Sequence, residues 1–154
     1  MTREASFLGH EEIWKLHKTA FLCSRRVPAA QVLKCYDWAI AMRNAGKCVM
    51  LGAHSQLEKD VLHYLLKGDQ PVVLVLARGM RVELAPDLKV EVGRGRLLLV
   101  APFPTWVKRV SSSTAMLRNR FIVEQAQEIV IGMVSPSGQL AELLANAKRV
   151  YSVL

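Results

Sequence analysis

Serines, glycines and arginines recur in this chain directly after short apolar runs. Ser24, Arg25 and Arg26 follow TAFLC (residues 19–23), and Gly52, His54 and Ser55 follow KCVML (47–51). Arg78 and Arg81 come after PVVLVL (71–76), and Pro102, Phe103 and Pro104, then Lys108 and Arg109, after RLLLVA (96–101). Ser135, Ser137 and Gly138 come after EIVIGM (128–133). Guanidinium groups and hydroxyls donate hydrogen bonds to phosphate oxygens, and glycine lets the backbone approach them closely. Carboxylates are nearly missing from these segments. General acid–base catalysis needs a titratable group beside the reacting bond, and His54 and Glu58 are the candidates within reach.

Two alternatives stay open at this point. Ser135-Pro-Ser-Gly138 also reads as a simple helix cap. Arg118-Asn119-Arg120, inside an amphipathic segment, also reads as a solvated helix face. Arg118 and Arg120 stand two residues apart and cannot share a face of a helix.

Metal and disulfide chemistry find little support. Cys23, Cys35 and Cys48 are an odd number without a close pair in sequence, and His10, His17, His54 and His63 lack ligand spacing. No metal and no cofactor is expected.

The chain of 154 residues carries a formal charge of +8 with a pI near 9.8, and is 51% hydrophobic and 22% charged. That composition excludes a disordered or coiled-coil chain and suits one domain. No apolar run approaches the ~18 residues of a membrane span, and MTREASFLGHEEIW lacks a signal-peptide core. A cytoplasmic protein away from the membrane is expected. A basic surface concentrates anionic partners.

The apolar runs alternate with helical patterns. Pro28 opens a helix ending near Asn44 before Gly46, and further helices fit Gln56–Leu66, Ser111–Gln125 and Gln139–Ala147. Residues 86–95 read as irregular, and VYSVL (150–154) as a sixth strand. A helix over Glu11–Lys18 makes residues 1–18 an N-terminal helical extension to a domain spanning 19–154. The pattern predicts an α/β, Rossmann-like doubly wound fold: a mostly parallel six-stranded sheet with helices on both faces. Ligands of such sheets bind outside the strands' carboxyl ends, which gathers the loops above at one edge. Arg94 and Arg96 fall at the opposite edge and are expected in solvent.

Several segments resemble the Rossmann-like domain of the DNA-processing protein A (Smf) family, bacterial single-stranded DNA binders that help load recombinase. Leu117-Arg-Asn-Arg-Phe-Ile122 is similar to that family's Arg-Asn-Arg segment at a helix start, and residues 128–140 to its next strand and Ser-Gly loop. Cys23-Ser24-Arg25 stands where the family has Gly-Ser-Arg, and Ala101-Pro-Phe-Pro104 resembles its Glu-Phe-Pro turn. The resemblance covers residues 19–154. It implies an anion pocket for DNA phosphates built from Ser24, Arg25, Arg118, Asn119, Arg120, Ser137 and Gly138, with the Arg-Asn-Arg triplet in a first helical turn. Arg26, Gly52, Ser55 and Arg78 join these as candidates from the loops. In one motif the chain departs: Leu51-Gly-Ala-His-Ser-Gln-Leu-Glu58 replaces Ser-Gly-x-Ala-Arg-Gly-Ile-Asp, with Ser55 in place of the arginine.

The expected function is therefore non-catalytic binding of single-stranded DNA in DNA processing or recombination, by a chain that forms a homo-oligomer, a dimer. Phe103 and Trp106 either stack bases or anchor their loop. The alternative is a nucleotide sensor or nucleoside-phosphate hydrolase. Relatives of that kind resemble Pro-Gly-Gly-x-Gly-Thr-x-x-Glu where this chain reads Ser135-Pro-Ser-Gly-Gln-Leu-Ala-Glu142.

Overall fold

The computed structural model describes residues 5–81 and 83–154. Its strands are β1 (Ser6–Leu8), β2 (Lys18–Leu22), β3 (Cys48–Leu51), β4 (Val72–Val75), β5 (Leu97–Ala101), β6 (Glu128–Ile131) and β7 (Ser152–Val153). The helices are α1 (Ala29–Asn44), α2 (Gln56–Leu66), α3 (Pro86–Gly93), α4 (Ser112–Gln125) and α5 (Gln139–Ala147), with a 3-10 helix at Glu11–Lys15. One seven-stranded sheet runs in the order β1-β5-β4-β3-β2-β6-β7. All pairings are parallel except β1 against β5.

Strands β3, β4 and β5 are buried along their whole length, as expected of parallel strands covered on both faces. Alternate residues feed two cores. Phe21, Val49, Leu51, Leu74 and Leu99 meet Cys35 and Ala39 of α1 and Val61 and Leu65 of α2. Ala20, Met50, Val75 and Ile131 meet Phe121 and Ile122 of α4 and Leu143 and Leu144 of α5.

The doubly wound fold is as expected; the seventh strand is not. Ser6–Leu8 supply β1, so this part of the segment read as a helical extension instead completes the sheet edge, with Phe7 opposite Val100. Residues 1–4 of that extension lie outside the described residues. Lys18 begins β2 rather than ending a helix. Its buried ammonium donates to the Trp14 and Leu16 carbonyls at 2.7 and 3.1 Å and holds the 3-10 helix against the sheet.

Residues 86–93 form a helix where an irregular segment was expected. Leu88, Val90 and Val92 alternate as in a strand, which hides the helical signal. Leu88 and Val92 pack on the core while Val90 is exposed. Pro86 at the first position and Gly95 (φ 75°) after the last are ordinary start and stop residues. The Gly95 and Arg96 amides donate to the Val92 and Glu91 carbonyls, a Schellman closure.

Arg96 is buried, contrary to the expectation of solvent. It donates to Glu91 at 2.9 Å and to the Leu65, Leu66 and Gln70 carbonyls at 2.8–3.1 Å. An arginine placed there satisfies the orphan carbonyls that end α2. Arg94 stays half-exposed beside Glu91 and Asp69. No helix among the described residues is long and apolar enough to cross a membrane.

Candidate nucleic-acid interface

The chain leaves β2 to one side through β3, β4 and β5, then returns to place β6 on β2's other side. That reversal parts the loops after β2 and β6 and opens a crevice at their carboxyl ends. A cavity of about 380 Å³ lies there. Ser24, Arg25 and Arg26 line it from the loop after β2, His54 and Ser55 from the loop after β3, and Ser135 and Gly138 from the loop after β6.

Ser24 bridges the crevice. Its amide donates to the Met133 carbonyl at 2.8 Å, and its hydroxyl accepts from the Ser135 amide at 2.9 Å. Gly138 is the N-cap of α5 and supplies no side-chain cap. The other two helices that line the cavity, α2 and α4, close their own ends, whereas α1 and α3 start uncapped outside its lining. Ser55 and Glu58 form a capping box on α2, and Ser111 and Thr114 one on α4. The start of α5 thus keeps its first-turn N–H groups and the positive end of its dipole for the cavity. Arg25 and Arg26 are exposed there, and among the described residues neither makes an ion pair.

His54 Nε2 lies 3.5 Å from Arg25 Nη2. Burial, then the positive charge of Arg118, holds its pKa below the usual histidine range. Ala53, just before it, has φ 42°, a strained left-handed conformation for a residue with a Cβ. Glu58 is buried in the cavity wall, but one carboxylate oxygen already accepts from the Ser55 amide and hydroxyl, both at 3.0 Å.

The Arg-Asn-Arg triplet begins at the seventh residue of α4, not in its first turn, because the helix starts at Ser112 behind the Ser111 cap. Its three side chains part company. Arg118 is only 2% exposed and lies under the strand ends. It donates to the Gly52 carbonyl at 2.9 Å, to the Val75 carbonyl at 3.5 Å and to Asn119 Oδ1 at 2.8 Å. Burial lowers its pKa, opposed by the Glu58 carboxylate. Asn119 lines the cavity, its oxygen turned to Arg118. Arg120 faces a separate cleft of about 540 Å³ between α4 and α5, together with Glu142.

Other candidates also lie outside the cavity lining. Gly52 is buried, and a Cβ on it would stand 2.4 Å from the Arg118 guanidinium. Its role in the fold is to make room. Ser137 is exposed in the turn before Gly138. Arg78 sits half-buried after β4, and neighbouring Gly79 donates to the Val107 carbonyl at 2.9 Å, which ties that loop to the one after β5. Trp106 is 76% exposed, whereas Phe103 is buried. Ser112, Ala115 and Met116 line the cavity and were not singled out from sequence. They precede Asn119 by seven, four and three residues, the spacing of one helix face, so stepping back from Asn119 would have found them. Among the described residues, no three histidine, cysteine or acidic side chains gather as a metal site.

An open, mostly parallel α/β sheet with helices on both faces and a crevice at its switch point defines a Rossmann-like domain. Within that class the chain shares its fold with DNA processing protein A. It superposes on the Helicobacter pylori protein with a TM-score of 0.76 at 11% identity, over 99% of this chain and 72% of that one. For the Streptococcus pneumoniae protein the values are 0.73 and 15%, over 97% of this chain and 54% of the other, so this chain spans about half of that protein. The molybdenum cofactor carrier protein of Chlamydomonas reinhardtii is a more distant likeness, with TM-score 0.57 and 13% identity over 88% of this chain and 74% of that one. No family model and no curated protein matches the chain. The resemblance seen in the sequence holds at the level of the fold.

Proposed function

We propose that the chain binds single-stranded DNA without catalysis, seating backbone phosphates in the cradle formed by Ser24, Arg25, Arg26 and the start of α5. The observation that carries this reading is the uncapped N-terminus at Gly138, sharing with two exposed arginines a crevice bridged by Ser24. A helix N-terminus of this kind favours phosphate. The Helicobacter pylori protein that shares the fold is described for its single-stranded DNA binding mode. A hydrolase would need an acid or base beside the bound phosphate. Glu142 lies in the other cleft, and one oxygen of the Glu58 carboxylate is held in the α2 cap. DNA processing is the biological setting this reading supports.

Fluorescence anisotropy tests it with single-stranded and duplex oligonucleotides, and with free nucleotides as competitors. Neutralising three phosphates gives log K against log[salt] a slope of about −2 for a single strand. Preference for the single strand with a slope of that order supports the reading. Affinity that stays flat with salt, or binding of free nucleotides alone, contradicts it.

A further inference from the structure

Directly beneath the cradle, two thiols from separate elements converge. Cys23 ends the run of β2 and lines the cavity, while Cys35 projects from α1 and is fully buried. Both are free thiols. They meet over Gly132, where a Cβ would stand 2.7 Å from Cys35 Sγ and 3.0 Å from Cys23 Sγ. The missing side chain of Gly132 leaves the space in which the sulfurs approach. The interaction of each thiol with the other, ahead of burial, pushes the Cys23 thiol up and pulls Cys35 down. Cys48 packs into the core on the sheet's other face, apart from this pair.

We propose that Cys23 and Cys35 are a reversible oxidation site for hydroperoxides, closing to a disulfide that loosens the phosphate cradle above it. One thiolate attacks the peroxide, the O–O bond breaks, and an alcohol (water, for hydrogen peroxide) leaves as that sulfur becomes a sulfenic acid. The second thiolate attacks this sulfur, the S–S bond forms, and the hydroxyl departs as water. Two thiols lose two protons and two electrons; the hydroperoxide is reduced. The cavity gives a small oxidant access to Cys23, the member of the pair that lines it. Closure to an S–S bond of about 2.05 Å draws the Cys23 backbone toward α1. Ser24, the next residue, carries both hydrogen bonds that set the width of the crevice, so the strain falls on them. The loosening rests on the cradle being the DNA site; the disulfide does not.

The full chain, reduced and then treated with hydrogen peroxide, should fall from three free thiols to one. Peptide mapping should find Cys23 joined to Cys35, with reversal by dithiothreitol. Cys48→Ser should keep the reaction, Cys23→Ser and Cys35→Ser should each abolish it, and Gly132→Ala, which parts the sulfurs, should slow it. Three thiols surviving, or a disulfide through Cys48 or between chains, would overturn the site. The oxidised chain should bind oligonucleotide about tenfold more weakly, within the usual range of such couplings. Equal affinity with the disulfide in place would overturn the loosening. If neither form binds oligonucleotide, the DNA reading fails, while thiol counting still decides the oxidation site.

Discussion

The Arg118 guanidinium donates to the Gly52 carbonyl at 2.9 Å and fills the space where a side chain at residue 52 would lie. The two residues are one structural unit joining the carboxyl end of β3 to α4. Gly52→Ala should cost about 1–3 kcal/mol through overpacking. Arg118→Met keeps most of the side-chain length but leaves the buried Gly52 carbonyl without its donor, at about 1–3 kcal/mol. In the double variant the added methyl no longer meets a guanidinium, so the losses should fall short of additive by about 1 kcal/mol or more. Urea denaturation of the four proteins measures this, and simple additivity would deny the coupling.

The separation of Arg118 from Arg120 predicts unlike phenotypes. Arg120→Ala should leave both stability and oligonucleotide affinity near wild type, because its side chain faces the α4–α5 cleft rather than the cradle. A loss of affinity comparable to that of Arg25→Ala would show that the strand's path crosses that cleft.

Arg25→Ala should weaken single-stranded DNA binding for every sequence and reduce the salt slope by about 0.7, the loss of one phosphate contact. Its stability cost should be small, since the side chain is exposed and, among the described residues, hydrogen-bonds to His54 alone. Anisotropy titrations at several salt concentrations report the slope. An unchanged slope with lower affinity would mean that Arg25 acts through something other than phosphate.

His54 gives the cradle a pH dependence. Its pKa lies below the usual 6.5, first through burial and then through Arg118; Arg25 and Lys59 push the same way, and Glu58 opposes them. The imidazole is therefore neutral at pH 7 and gains its charge only at lower pH. Affinity for single-stranded DNA should rise as pH falls below about 6.5, and His54→Gln should remove that rise. The effect on stability has the opposite sign. The unfolded chain takes up this proton first, so the His54 contribution to folding holds above its unfolded pKa. It is lost as pH falls below that value, down to the depressed folded one. Circular dichroism over the same range separates the two effects.

Much of the fold was legible because its signals are local. The buried strands announce themselves as unbroken apolar runs, Gly46 marks the end of α1, and the rule for carboxyl ends located the loops that line the cavity. Helix α3 stayed hidden behind an apolar alternation that suits a strand equally well. The fate of Arg118 could not be read from residue type. Two arginines flanking Asn119 are equivalent in sequence, and only the phase of α4 against the sheet decides that one is buried and the other faces α5. The same holds for Arg96, whose partners come from three separate segments, and for Cys23 and Cys35, which only the packing of α1 on β2 brings together.

The most direct test of the phosphate cradle is a backbone-amide NMR titration of the chain with a short thymidine oligonucleotide. The account predicts the largest shifts at Gly138–Leu140 and Ser24–Arg26, with Asn119 following and the α3 edge around Glu91–Arg96 unmoved. Shifts centred on the α4–α5 cleft or on α3, with the Gly138 and Ser24 amides silent, would contradict it.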